Sequence, residues 1–285
     1  MNYPLIPVSE EQISEIVRNC SVFAAGMNTP EMLKFAFSCI DLTTLNSTDT
    51  VTHVAEFTNK VNAFRQSYPE MPDVAAICVY PNMASVVREN LAVPEVHVAA
   101  VAGGFPSSMT FLPVKEMESR MAVVQGADEV DIVMPLWAFL EGSLDYCRKE
   151  IAAVKQAIGD AHLKVILETG ALKNPSDVWQ ASLLSLESGA DFIKTSTGKM
   201  PVAATPEAAV IMCLSLKYWY EETGQIRGFK PAGGIVTSAD ALIYTAIVKN
   251  ILGDQWMNPG LFRIGASRLA NNLLSDVYNR NIQHF

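Results

Sequence analysis

The chain has 285 residues, of which 49% are apolar and 18% charged, and its formal net charge is −9. A composition this apolar can bury a large core, which excludes general disorder. The acidic balance argues against non-specific binding to nucleic acid or to an anionic membrane, because both require basic patches. A small pocket that contains a few lysines can still bind an anionic substrate.

The five cysteines are dispersed and show no metal-like spacing, which is typical of reduced thiols in a cytosolic protein. The N-terminal residues lack the basic and apolar regions of a secretory signal. No apolar run approaches the roughly 20 residues that span a bilayer. The four histidines show no paired metal spacing. The sequence therefore predicts a cytoplasmic protein without a membrane segment or a metal site.

Eight short apolar runs rich in β-branched residues alternate with longer segments of helical periodicity. The predicted strands are Phe37–Leu42, Val74–Val79, Val96–Val101, Glu129–Met134, Leu163–Glu168, Asp191–Thr195, Arg227–Lys230 and Phe262–Gly265. The predicted helices are Thr50–Arg65, Ala84–Leu91, Pro113–Gln125, Leu144–Ile158, Pro175–Ser188, Pro206–Glu222, Ser238–Leu252 and one that begins at Ser267.

This alternation predicts an α/β fold in which helices cover a parallel sheet, and eight strands are the number that closes a TIM (β/α)8 barrel. No linker or low-complexity stretch divides the chain, so we predict one domain over residues 1–285. Residues 1–35 precede the first strand, and we predict that they form an N-terminal helical cap over one barrel end. A doubly wound open sheet is the alternative fold.

Barrel active sites form at the C-terminal ends of the strands, so lysines near those ends are the first candidates. Burial of Lys194 on the apolar sixth strand would lower its pKa and supply the free amine that Schiff-base chemistry requires. The alternative is a lysine that reaches past the strand end to solvent. Lys230, at the end of the next strand, is either a cation that lowers the proton affinity of Lys194 or a phosphate-binding lysine without a catalytic role.

The fourth strand carries Asp131, which alternates with apolar residues and shares a face with Glu129. A carboxylate that points into the barrel mouth beside two lysines would be ionised and suited to moving protons. The alternative is a charge partner that only satisfies a buried lysine. Cys78 on the second strand is interpreted first as a small core residue.

Glycine-rich segments follow three neighbouring strand ends. Glycines let backbone N–H groups approach an anion closely, and a helix N-terminus adds a favourable dipole. Barrels often bind phosphate beside strands seven and eight. The predicted phosphate site consists of Gly198, Lys199, Gly233, Gly234, Gly265 and Ser267.

Together these segments resemble the deoxyribose-phosphate aldolase family, which are class I aldolases on a TIM barrel. The resemblance rests on Asp41 to Asn46, Ala76 to Pro81, Gly126 to Asp131, Phe192 to Lys199, Gly228 to Gly234 and Gly265 to Ser267. It implies that Lys194 is the Schiff-base lysine, that Lys230 perturbs it and that Asp131 belongs to a proton relay. The implied substrate-binding residues are Cys78, Asp41, Thr43, Thr197, Gly198, Lys199, Gly233, Gly234, Gly265, Ser267 and Arg268.

The resemblance further implies reversible cleavage of 2-deoxy-D-ribose 5-phosphate to acetaldehyde and D-glyceraldehyde 3-phosphate, without a cofactor. The implied partners are these small molecules and, because barrels of this kind often pair, a second copy in a homodimer. Two alternatives stay open. One is another class I aldolase or a transaldolase that acts on a different sugar, and the other is a catalytically silent barrel that binds a phosphorylated sugar.

Three features depart from the family pattern. Arg268 replaces a serine that is common after the Gly-Ala-Ser motif, and it either strengthens phosphate binding or points to solvent. The loop from Ala102 to Ser108 lacks the usual polarity. The chain ends at Phe285, and Tyr278 lies seven residues earlier, so help from a C-terminal tyrosine is not expected.

Overall fold

A computed structural model describes residues 3–285 and contains an eight-stranded parallel sheet. The strands are β1 Ile40–Thr43, β2 Ala76–Val79, β3 His97–Ala102, β4 Glu129–Val133, β5 His162–Ile166, β6 Phe192–Lys194, β7 Gly228–Lys230 and β8 Ile264–Ala266. They pair in the order β7-β6-β5-β4-β3-β2-β1-β8. Two isolated parallel bridges, Phe229 to Phe262 and Ala232 to Gly265, join the two end strands. The predicted barrel is therefore confirmed, and the open sheet is excluded.

Helices connect the strands and surround the barrel. They are α1 Glu10–Gly26, α2 Pro30–Ser38, α3 Val51–Ser67, α4 Ala84–Asn90, α5 Leu112–Val124, α6 Leu136–Leu140, α7 Leu144–Ile158, α8 Pro175–Glu187, α9 Pro206–Thr223, α10 Ser238–Leu252 and α11 Leu269–Tyr278. None of the helices within residues 3–285 combines the length and the apolarity that a membrane crossing requires.

The predicted start of the first strand is wrong. Phe37 and Ser38 belong to α2, and β1 begins at Ile40. Leu33, Ala36 and Phe37 are buried at helical spacing, so the apolar run that suggested a strand is the buried face of a helix. The short helix α6 after β4 was not predicted, because five residues are too few to show a helical period.

The N-terminal segment contains the helices α1 and α2. Helix α1 packs against α9 and α10 of the outer helix layer. Helix α2 contacts α10 and α11 and leads directly into β1.

The barrel interior is divided into an apolar side and a charged side. Ala76 and Cys78 of β2, with Ala99 and Val101 of β3, form a small apolar cluster that is separate from the main core. Asp131 of β4 and Lys194 of β6 belong to the charged side, where ionisable side chains are fully or almost fully buried. The apolar side is thus limited to β2 and β3, and the buried charges come from the strands on the remaining side of the barrel.

Candidate active site

Lys194 is buried, yet its side chain lines a cavity at the C-terminal ends of the strands. It is 4% exposed, and its Nζ lies 2.7 Å from Oδ2 of Asp131. Burial lowers the pKa of Lys194 and the nearby Lys230 cation lowers it further, while the Asp131 carboxylate opposes both. The alternative of a lysine that reaches past the strand into solvent is therefore wrong.

Lys230 lies one strand over, with its Cα paired to that of Lys194. Its Nζ donates to Asp131 Oδ2 at 2.8 Å and also forms an ion pair with Asp41. Burial alone would lower the pKa of Lys230, but the carboxylates of Asp131 and Asp41 raise it overall. Lys230 thus stays cationic beneath Lys194, and it does not line the cavity.

Asp131 accepts from both lysines through a single oxygen, Oδ2. Its second oxygen, Oδ1, has no hydrogen-bond partner and lies 3.5 Å from Nζ of Lys164. Burial would raise the pKa of the Asp131 carboxyl, but the cations of Lys194, Lys230 and Lys164 lower it well below its ordinary value. The carboxylate is therefore ionised and fixed between the two lysines.

Seven ionisable side chains are buried together in the barrel interior. They are Asp41, Glu129, Asp131, Lys164, Lys194, Lys230 and Arg263. Arg263 donates to Asp41 Oδ1 at 2.7 Å and to Glu129 Oε1 at 2.8 Å, and Lys164 donates to Glu129. The three carboxylates are balanced by three cations only if Lys194 is neutral. Because a buried net charge is costly, the network favours the neutral amine of Lys194.

The cavity has a volume of about 540 Å³. Ten of the residues predicted for the site line it, namely Thr43, Lys194, Thr197, Gly198, Lys199, Gly233, Gly234, Gly265, Ser267 and Arg268. Asp41, Cys78, Asp131 and Lys230 are at most 1% exposed and do not line it. Cys78 packs with Ala76, Ala99 and Val101, and burial raises the pKa of its thiol.

The loops after β6 and β7 form a glycine-rich corner of the cavity. Glycine is required at two neighbouring positions in this corner. Gly198 has φ +72° and Gly233 has φ +84°, values that other residues rarely adopt. A Cβ on Gly233 would lie 3.0 Å from the Cα of Gly198 and 2.7 Å from the Cβ of Ala203. The two loops therefore approach each other with exposed backbone, which is the arrangement that an anion requires.

Buried Glu168 positions the loop after β6. It accepts hydrogen bonds from the backbone N and Oγ1 of Thr197 at 3.1 and 2.6 Å. Oγ1 of Thr197 accepts in turn from the Lys199 backbone at 3.0 Å, and Nζ of Lys199 donates to the Leu45 carbonyl at 2.6 Å. Thr197 therefore shapes the loop, whereas Lys199 crosses the cavity mouth.

Several cavity residues were not predicted. His53, Phe57 and Lys60 of α3 line one wall, and their spacing of four and three residues is that of one helix face. Phe285 also lines the cavity, because its backbone N donates to Asn271 Oδ1 at 3.1 Å. Neither the α3 face nor the docked chain end carries a sequence motif. Only the helical spacing of the α3 residues could have predicted that they share a wall, and nothing in the sequence predicts the position of Phe285.

A neutral amine on a cavity wall can attack a carbonyl carbon, and an adjacent carboxylate can stabilise the cationic imine that results. Within residues 3–285, no group of three or more His, Cys, Asp or Glu side chains is arranged to hold a metal ion. The fold and the lysine-centred site are those of an aldolase barrel.

The chain belongs to the DeoC/LacD family of aldolases, whose family model matches residues 35–267. A relative from Caenorhabditis elegans is 42% identical over 271 residues, covering 94% of this chain and 88% of its own. The deoxyribose-phosphate aldolase of Bos taurus is 39% identical over 259 residues, covering 86% and 80%. The structure of deoxyribose phosphate aldolase from Aeropyrum pernix shares the fold, with a TM-score of 0.67 at 24% identity over 94% of this chain and 98% of that one.

Proposed function

We propose that this aldolase cleaves 2-deoxy-D-ribose 5-phosphate reversibly to acetaldehyde and D-glyceraldehyde 3-phosphate. The observation that carries the proposal is the placement of Lys194, whose amine faces the cavity 2.7 Å from Asp131 and shares that cavity with the glycine-rich corner. An amine at one side and an anion-binding corner at the other suit an aldehyde that carries a phosphate at its far end. Relatives that bear the name of this activity support the same substrate.

The chemistry begins when the Lys194 amine attacks C1 of the open-chain sugar and the carbinolamine loses water to give a protonated imine. The imine withdraws electrons, so the proton of the C3 hydroxyl can leave as the C2–C3 bond breaks. The electron pair of that bond forms an enamine on C1 and C2, and D-glyceraldehyde 3-phosphate departs. Protonation of the enamine at C2 and hydrolysis of the imine then release acetaldehyde and restore Lys194.

Asp131 and Lys230 have different parts in this sequence. The Asp131 carboxylate lies 2.7 Å from Nζ of Lys194, where it stabilises the imine cation and relays protons through water. Lys230 holds Asp131 and Asp41 in ion pairs and keeps a positive charge beside Lys194, which favours the neutral amine. Neither group needs to touch the substrate for these effects.

We also propose a cytoplasmic location and a single domain. All five cysteines are free and buried, which suits a reducing compartment. All eight strands join one sheet, which suits a chain that folds as one unit.

The first prediction concerns the covalent intermediate. Incubation with acetaldehyde and sodium borohydride should replace one hydrogen of the Lys194 side-chain amine with an ethyl group, a net gain of C2H4 in the peptide, because reduction converts the imine to a stable secondary amine. Peptide mapping by mass spectrometry checks the position, and Lys199 on the neighbouring loop is the internal control. Labelling at Lys199 alone, or no labelling, would contradict the mechanism. Cleavage of several sugar phosphates is measured in parallel. If Lys194 is labelled but another sugar phosphate is cleaved in place of deoxyribose 5-phosphate, the substrate is wrong and the Schiff-base mechanism stands.

The second prediction concerns Arg268, which is exposed at the cavity edge. Changing Arg268→Ser should raise KM for deoxyribose 5-phosphate by about tenfold, since a charge-assisted contact contributes roughly 1.5–3 kcal/mol. Activity on deoxyribose without phosphate should hardly change. Steady-state kinetics on both substrates checks this, and equal losses on both would remove Arg268 from the phosphate site.

A further inference from the structure

The cavity wall formed by α3 carries a histidine that the proposed reaction does not use. His53 lies in the first turn of α3, where its backbone N donates to Oγ1 of the capping Thr50 at 3.1 Å. Its side chain is 51% exposed and lines the same cavity as Lys194. His53 is therefore a titratable group in the cavity that has no part in the chemistry at Lys194.

A carboxylate on the loop between β1 and α3 fixes the imidazole ring of His53. The Asp49 side chain is 6% exposed, and its Oδ1 lies 3.2 Å from Nδ1 of His53. Its Oδ2 accepts from Thr44 Oγ1 at 2.7 Å and from the Asn46 backbone N at 3.0 Å. Burial would raise the pKa of the Asp49 carboxyl, but hydrogen bonds from Thr44 and Asn46 and the charge of His53 lower it overall. The ionised Asp49 thus engages Nδ1 and leaves Nε2 for a ligand.

The lining of the cavity is biased towards positive charge. The chain has a net charge of −9, yet no Asp or Glu within residues 3–285 is among the residues that line this cavity. Besides Lys194, its ionisable side chains are those of His53, Lys60, Lys199 and Arg268. Because the low-dielectric walls of a cleft focus the field of its charges, this cavity attracts anions.

The loop after β1 connects His53 to the predicted phosphate site. At the start of the loop, the Leu45 carbonyl accepts from Nζ of Lys199 at 2.6 Å, and Lys199 is one of the predicted phosphate-binding residues. At the end of the loop, four residues further on, Asp49 holds His53. One short loop therefore contacts both the lysine of the phosphate site and the histidine of α3, which places His53 on the side of the cavity where the phosphate is expected.

We propose that His53 is a further substrate-binding residue, whose Nε2 donates to the phosphate of the substrate, and that Asp49 is a positioning residue that holds Nδ1. Between two anions the imidazole carries both protons and donates one to each. This inference rests on the proposed function, because it takes the phosphate of deoxyribose 5-phosphate as the ligand. The phosphate is on C5 and the imine forms at C1, so His53 acts on binding rather than on bond breakage.

Substitution of His53 tests the contact. His53→Gln should raise KM for deoxyribose 5-phosphate by about three- to tenfold, as expected for a charge-assisted hydrogen bond at a half-exposed site, with kcat nearly unchanged. Kinetics on deoxyribose without phosphate should hardly change, and His53→Lys, which restores a cation, should recover part of the loss. A fall in kcat on both substrates would overturn the proposal, because it would place His53 in bond breakage instead.

The matched control for this substitution is His162→Gln. The His162 side chain is 48% exposed and its Nδ1 lies 3.8 Å from a buried carboxylate, that of Glu129. It is the first residue of β5, at the end of the strand that lies away from the cavity. This variant should leave KM for both substrates unchanged, and a rise equal to that of His53→Gln would remove the specific role of His53.

A double-mutant cycle tests the role of Asp49. Asp49→Asn should raise KM for deoxyribose 5-phosphate by a factor similar to that of His53→Gln, without lowering kcat. Because Asp49 acts through His53, it should add little when His53→Gln is already present. If the two effects multiply instead, Asp49 only holds its own loop and the positioning role is wrong.

Calorimetric binding of inorganic phosphate separates this inference from the proposed function. His53→Gln should weaken phosphate binding by the same factor of about three to ten, and no cleavage is needed for this measurement. If the protein cleaves another sugar phosphate instead, the proposed function fails while the loss of phosphate affinity still supports His53. If deoxyribose 5-phosphate is cleaved but neither its KM nor the phosphate affinity changes in His53→Gln, the proposed function stands and the role of His53 is refuted.

Discussion

Changing Lys194→Met should lower kcat/KM for deoxyribose 5-phosphate cleavage by at least about four orders of magnitude, or roughly 5 kcal/mol of transition-state stabilisation. The amine forms the covalent bond in the proposed mechanism, and the two other buried lysines near Asp131 cannot replace it. Nζ of Lys230 is held by two carboxylates beneath the cavity, and Nζ of Lys164 is fully buried beside Glu129. Discontinuous or coupled-enzyme assays of acetaldehyde release measure the rate of cleavage.

The fold should survive this change, because the charges of the buried network balance when Lys194 is neutral. Methionine has a similar length and carries no charge, so Asp131 keeps its ion pairs with Lys230 and Lys164. Thermal melting and binding of D-glyceraldehyde 3-phosphate by calorimetry serve as controls. The matched variant Lys199→Met, on the loop after the same strand, should retain the borohydride adduct. An active Lys194→Met enzyme would refute covalent catalysis at this position.

The barrel could be predicted from sequence because parallel strands buried on both faces form short apolar runs that differ clearly from the helices between them. The prediction of the first strand was wrong at Phe37, because a short apolar run there belongs to a helix. Short apolar segments carry too little periodicity to separate the two structures. Lys194 and Asp131 stood out because a charge in such a run is costly unless it is functional.

The remainder of the charged network could not be assigned from the sequence alone. Lys164 lies in an apolar strand just as Lys194 does, and Glu129 shares the face of Asp131. However, a strand buried on both sides does not reveal which alternate residues point into the barrel. Arg263 meets Asp41 only because β8 closes against β1, a contact between positions 222 residues apart. The docking of Phe285 onto Asn271 is equally a product of tertiary structure.

The second large effect is expected from Lys230→Leu, which should move the acid limb of the pH–rate profile to higher pH. Removing this cation takes away one of the influences that lower the pKa of Lys194, and it leaves the Asp131 carboxylate, which raises that pKa, less neutralised. Because imine formation uses the unprotonated amine, a higher pKa means less reactive enzyme at neutral pH. The rate there should fall by about one to three orders of magnitude, and raising the pH should recover part of the loss.

The recovery at high pH distinguishes this effect from structural damage. Loss of a buried cation also destabilises the fold, by roughly 3–5 kcal/mol when its partner carboxylates stay unpaired, so urea unfolding must accompany the kinetics. Lys164→Met is the matched control, because it removes another buried cation that contacts Asp131 through the other oxygen, at 3.5 Å. It should destabilise the protein similarly while shifting the acid limb less, since Lys230 remains next to Lys194. If Lys230→Leu lowers the rate equally at every pH, Lys230 only holds the carboxylates in place and does not set the protonation state of Lys194.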